Sequence, residues 1–195
     1  FIPWNLSDIN VADEHPLVRI FLQLLTLSSS RFSFSELASY LEVPQIAAQF
    51  ELEGSTQDEL LALLRESEVR WGINAAHKQA LDLPKIEQNT WEHGIDRLIA
   101  GYAMSDIALW HNIAPINGVG GASAAALGRF CGLLETLKQW HLTLNQSRSA
   151  QQWQQLLNAM LETLFGTQRD DDDRLQQIRD AIDELASQAG EQMLS

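Results

Sequence analysis

The sequence predicts an all-α fold, an irregular assembly of about seven to nine helices. Three observations lead there. Apolar residues recur at helical spacing in stretch after stretch along the chain. Ser, Thr and Pro stand where several of those stretches begin, as helix starts require. Strand-like patterning is nearly absent, confined to FIPWNL at the start and parts of EVRWGIN.

The elements follow in order. Leu17, Ile20, Phe21, Leu24 and Leu25 form an apolar stripe behind Pro16, whose missing N–H costs little in a first turn. SELASYLEVPQIAAQF (35–50) reads as two short helices, the first opening on Ser35-Glu36 and the second at Pro44. Ser55 followed by Asp58 resembles a capping box in front of DELLALLRESEV. Trp91, Ile95, Leu98, Ile99 and Tyr102 make a stripe behind a Thr90 cap. From about Ser123 to Leu144 apolar residues occupy more than one face, as in a well-covered central helix. Trp153, Leu156, Leu157, Met160, Leu161 and Leu164 form another stripe, and Leu175, Ile178, Ile182 and Leu185 a last, peripheral one. Loops are expected at 28–33, 72–89 and 111–121, and a break at Gly166-Thr167. The expected division is an extended leading segment 1–12, a helical domain 13–166 and a C-terminal acidic and polar helix 167–195.

With 26 acidic against 13 basic residues the net charge is −13. So acidic a surface repels phosphate backbones unless its cations gather on one face, and the charge also fits a plain solubility role. The lone Cys131 excludes an internal disulfide framework and suits a reducing, cytoplasmic compartment. Its setting, LGRFCGLLETL, is that of a buried, inert thiol. No apolar run long enough to span a membrane and no secretory signal pattern occurs, and the chain starts at Phe1 without an initiator Met.

Motifs for chemistry fail individually. NGVGGAS (117–123) is glycine-rich but lacks the Gly-Lys-Ser/Thr of a phosphate loop and the strand that precedes a dinucleotide fingerprint, so it reads as an interhelical loop. His15, His77, His93, His111 and His141 are scattered, none at zinc-site spacing. Asp170–Asp173 lacks the alternation and central Gly of a calcium loop and suits a solvated helix start. No nucleophile, base and orienter come together, so the residues read as non-catalytic, with no cofactor or metal site. Arg65, Arg70, Lys78, Lys85 and Arg97 cluster in sequence and are candidate DNA contacts; Arg70 and Arg97 could equally pair with Glu66, Glu68, Glu92 or Asp96. Gly94 and Gly101, seven apart on one helix, suggest another helix approaching closely there. Residues 35–50 have helix-turn-helix spacing, but PQIAAQFELE offers Gln45 and Gln49 without a basic residue, which weakens an operator-binding reading. A helical adaptor contacting only protein, anchored by one of the tryptophans at 4, 71, 91, 110, 140 or 153, is a further alternative.

In order, IPWNLSD (2–8), HPLVRIFLQLLTLSSSRFSFSELASYLEVP (15–44), EVRWGIN (68–74) and TWEHGIDRLIAGYAM (90–104) resemble the RecC family, the gamma subunit of exodeoxyribonuclease V. That family's pattern runs I-P-F-N-I-A-D, a Ser- and Phe-bearing turn before a helix ending L-x-V-P, then I-R-W-G-I-D, then T-W-x-x-G-x-x-R-x-L-x-G-Y-A-M. Trp4, Val69 and Asn74 depart from it where Phe, Ile and Asp are usual. Residues 123–165 are compatible and less specific, and 166–195 carry no such motif. The resemblance implies a piece of a much longer subunit, from a helicase-like region without ATPase motifs, akin to the helical 2B-type insertion of superfamily 1 motors. It also implies RecB and RecD as partners, DNA bound by the whole complex, ATP and magnesium used by the partner subunits, and a role in duplex-end unwinding, Chi recognition and recombinational repair.

Overall fold

Pro16 occupies the first turn of helix α1 (Pro16–Leu25), where its ring pre-sets the backbone and no hydrogen bond is lost. This computed structural model describes residues 15–104, 109, 113–166, 173–189 and 193–194. The leading segment 1–12 with its IPWNLSD motif, and Asp170–Asp172, lie outside the described residues. Leu17, Ile20, Phe21 and Leu24 of α1 are buried, while Leu25 faces outward. A 3-10 turn, Leu27–Ser29, follows.

Helix α2 (Phe34–Leu41) starts earlier than its Ser35-Glu36 signal suggests. Ser33 is the N-cap, its Oγ accepting from the Glu36 amide while the Glu36 carboxylate accepts from the Ser33 amide, a complete capping box. Helix α3 (Pro44–Gln49) again opens on proline. Helix α4 (Ser55–Glu66) is capped differently from expectation. Gly54, at φ 62°, takes the N-cap and Ser55 is already helical, so no side chain caps this end. Helix α5 (Ala75–Ala80) lies inside the stretch read as the loop 72–89, which is a correction. Asn74 nucleates it by accepting from the His77 amide at 2.9 Å. Thr90 caps helix α6 (Trp91–Ala103) as its sequence predicts. Helices α7 (Ala122–Thr143), α8 (Ala150–Phe165) and α9 (Asp173–Ala189) complete nine α-helices among the described residues, and the fold is all-α. A second capping box, Ser149 with Gln152, starts α8. Two-residue strands β1 (Arg148–Ser149) and β2 (Met193–Leu194) pair antiparallel; they are too short to show an alternating pattern in sequence.

The described residues fall into two compact units. One comprises Ser30–Thr136, with α2 to α6 and most of α7. Its centre is Trp91, 1 % exposed, whose indole N–H donates to the Phe32 carbonyl at 2.8 Å. The Trp91 ring stacks on Phe34 at 6.0 Å and meets Phe130 of α7 at 5.3 Å. Leu37, Tyr40, Leu41, Val43, Ile46, Leu60 and Leu64 complete this core. An isolated antiparallel bridge, Ser33 to Trp71, ties the approach to α2 to the exit from α4, so the expected extended character of EVRWGIN is present. The other unit combines the described parts of Phe1–Ser29 and Leu137–Ser195. There α8 packs on α9, Met160, Leu161, Leu164, Leu175, Ile178 and Ile182 are buried, and Gln154 donates to Asp183 at 2.8 Å. Leu185, last of the α9 stripe, is exposed.

The glycines of α6 do permit close approach, but by coil segments instead of a second helix. A Cβ on Gly94 would strike the Val69 side chain and lie 2.9 Å from Ser67 Oγ. One on Gly101 would run into the backbone of Ile116. The α6 stripe is also split: Trp91, Ile95 and Leu98 are buried, whereas Ile99 and Tyr102 are 49 % and 60 % exposed.

Candidate nucleic-acid interface

The five basic residues singled out by sequence separate into distinct roles. Arg97, on α6, is tied to the fold. Its Nη1 donates to the Ser67 carbonyl at 3.0 Å, its Nε to the Ala114 carbonyl at 3.1 Å, and it pairs with Glu68 at 3.3 Å. Of its two sequence readings, the ion pair is therefore the one found. Two backbone acceptors fix the guanidinium more firmly than a surface ion pair alone would.

Lys78, on α5, is 6 % exposed. Its Nζ donates to the Gln88 carbonyl at 2.8 Å and stands 4.8 Å from the centre of the Trp71 ring. Gly72, at φ 87°, lets the aliphatic stem pass close; a Cβ there would sit 3.2 Å from Lys78 Cε. Burial lowers the ammonium pKa below its ordinary value, with Glu87 pulling in the opposite direction. This lysine pins the 81–90 segment onto Trp71.

Lys85 is exposed in the loop after α5. Arg65 and Arg70 are exposed as well. Arg65, in the last turn of α4, places its guanidinium 5.7 Å from the centre of the Phe34 ring. The Phe34 amide donates to the Arg70 carbonyl at 2.9 Å. One exposed cation of the neighbouring segment was not singled out by sequence. Arg31 is exposed on the partner segment, and its carbonyl accepts from the Gly72 amide at 2.8 Å. Its only signal is a cation inside SSSRFSF, opposite EVRWGIN in the bridge. The pairing of these distant segments is invisible along the chain.

Nearby carboxylates differ in availability. Glu36 is wrapped by the Ser30 hydroxyl at 2.7 Å and the Tyr40 hydroxyl at 3.2 Å, besides its capping bond. Glu68 is engaged by Arg97, and Glu66 is exposed.

Elsewhere in this unit an apolar groove of about 440 Å³ is lined by Ile99, Tyr102, Val119, Ala125, Gly128 and Cys131, among others. Cys131 is half-buried in this groove, where full burial was expected, and desolvation pushes its thiol pKa up. The glycine-rich stretch 117–121 leads into α7, with Gly118 and Gly121 at positive φ. Among the described residues no group of three His, Cys, Asp or Glu side chains is placed to hold a metal ion, and no helix is long and apolar enough to cross a membrane.

Residues 14–195 match the family model described as the RecBCD enzyme subunit RecC fourth domain. Curated relatives named RecBCD enzyme subunit RecC agree. The Escherichia coli protein is 32 % identical over 166 residues, 85 % of this chain and 15 % of its own length. That of Haemophilus influenzae is 32 % identical over 186 residues, 95 % of this chain and 16 % of its own. That of Mycolicibacterium smegmatis is 29 % identical over 189 residues, 96 % and 17 %. The chain thus spans about a sixth of these relatives. The landmarks on which the resemblance was drawn, the SSSRFSF turn, EVRWGIN and the Trp91 helix, are the segments the Phe32–Trp91 bond and the Ser33–Trp71 bridge bring together. The chain belongs to the RecC fourth-domain family.

Proposed function

We propose that this chain serves as a non-catalytic structural and DNA-channel module of an exodeoxyribonuclease V gamma subunit. In this reading it acts beside RecB and RecD in the cytoplasm, within a complex that unwinds duplex ends, recognises Chi and supports recombinational repair. Its place resembles that of the helical 2B-type insertion of superfamily 1 motors. ATP and magnesium belong to the partner subunits, and no cofactor is assigned to this chain. The observation that carries the reading is the family match across residues 14–195, joined by relatives that bear the RecBCD subunit name.

The operator-binding alternative is not favoured. Leu37, Leu41, Val43, Ile46 and Ala47 of the paired short helices are buried, and α3 is six residues long without a cation to meet phosphate.

The test is co-purification of the 195-residue chain with RecB and RecD, alongside an ATPase assay of the chain alone. The expected result is retention by the partners and no ATP turnover. Robust ATP hydrolysis by the isolated chain, or no retention, overturns the reading.

A further inference from the structure

Resting on that reading, we infer that the apolar groove formed by α6 and the first half of α7 seats a helix from another domain of the same, longer gamma subunit. Three observations carry this.

The first is the groove itself. It holds about 440 Å³ within the Ser30–Thr136 unit. On the α6 side stand Ile99 and Tyr102, both exposed although they continue the apolar stripe of that helix. On the α7 side stand Ala125 and Gly128, and a Cβ added to Gly128 would meet no atom within 4 Å. The exposed small residues run on to Gly132, so one strip of α7 offers backbone that a second helix can approach closely. Single exposed apolar side chains are ordinary on a soluble surface, but these border one concavity.

The second is charge. Charged residues make up 20 % of the chain, yet the 28 positions between Asp106 and Glu135 hold a single Asp, Glu, Lys or Arg. That one, Arg129, pairs with Glu51 at 2.9 Å and donates to the Glu51 carbonyl at 3.2 Å. Apart from Arg129, the exposed residues in the first half of α7 are glycine and alanine, where a helix kept in water carries Glu, Lys or Gln. Loss of charge marks the centre of a protein–protein interface, and apolar character is greatest between partners that never separate.

The third observation defines the occupant. Among the described residues lining the groove, Tyr102 and Cys131 alone carry a polar side-chain atom, too few to orient a small polar ligand. A second copy would bring another charge of −13 against the first. The chain matches a fourth domain and spans about a sixth of its relatives' length, so in the proposed subunit most of the polypeptide lies outside it. A helix on that same polypeptide meets the groove at the high effective concentration of a tethered partner.

The test is hydroxyl-radical footprinting, read by peptide mass mapping, of the 195-residue chain, of the full-length subunit purified without RecB and RecD, and of the three-subunit complex. Oxidation of Ile99 and Tyr102 is expected to fall severalfold between the isolated chain and the full-length subunit. Ala125→Glu, which sets a carboxylate in the groove at an exposed position, is expected to restore that oxidation within the full-length subunit. Ile86, exposed in the loop after α5, is expected to keep its parent rate in the same variant. This second comparison is made wholly within the full-length subunit and does not depend on the isolated chain. Equal oxidation in chain and subunit, or no response to Ala125→Glu, overturns the inference. Protection that appears only in the three-subunit complex gives the groove to RecB or RecD and overturns this occupant. Protection of the isolated chain that grows with its concentration gives it to a second copy and does the same. Retention of the full-length subunit by RecB and RecD is scored separately: its loss overturns the functional reading, and its persistence leaves that reading standing when the groove proves uncovered.

Discussion

Trp91 shows how much one side chain can organise. Its indole fills the centre of the Ser30–Thr136 unit and donates to the Phe32 carbonyl, which the Gly72 amide also reaches at 3.2 Å. Trp91→Phe keeps most of the packing and removes one of two donors to that carbonyl, so urea unfolding is expected to show a loss of about 0.5–1.5 kcal/mol. On the outer face of the same helix, Asp96 has a raised pKa, through partial desolvation first and then repulsion from Glu92 and Glu87, with His93 opposing. A carboxyl raised in the folded state favours folding while protonated, at pH below its unfolded range. That contribution disappears as pH rises through the folded value. Asp96→Asn is therefore expected to raise the urea midpoint at neutral pH, with the gain vanishing in acid. A larger gain in acid than at neutrality would contradict this assignment of charge strain.

At the level of elements, α6 is held by coil on both of its glycines, and α7 carries glycines that face nothing. Gly101→Ala drives a methyl into the Ile116 backbone, which cannot rotate away, and is expected to cost about 1–3 kcal/mol in chemical denaturation. Gly128→Ala meets no atom within 4 Å and is expected to stabilise α7 by up to about 1 kcal/mol through helix propensity. The two substitutions look alike in sequence and carry opposite signs. The sequence showed which segments were helices wherever the stripe was long, as in Trp91, Ile95 and Leu98 behind Thr90. It failed for AAHKQA, where six residues are too few to display a period and Asn74 supplies the start locally. It also misplaced the caps of α2 and α4 because neighbouring serines carry the same signal, and only backbone geometry chooses Ser33 and Gly54. The candidate cations were legible as a group and their division was not. Burial of Lys78 and the backbone bonds of Arg97 depend on residues 10 to 30 positions away.

Across the whole molecule, the charge of −13 is the dominant electrostatic fact. With 26 acidic against 13 basic residues at most half of the carboxylates can be paired, so self-repulsion is relieved by screening more than attraction is lost. Moderate salt is expected to raise the melting temperature, even as it weakens any phosphate contact; a fall in melting temperature between low and physiological salt would show attractive pairs to dominate. The Phe32–Trp91 bond has a further consequence for how the chain is made. It spans 59 positions. A ribosome releases residues 32–89 before the indole that closes their core exists outside the exit tunnel. Until α6 emerges, Phe32, Leu37, Leu41 and Ile46 have only one another for cover, so the first half of this unit waits, exposed to chaperones and proteases, for a single tryptophan to arrive.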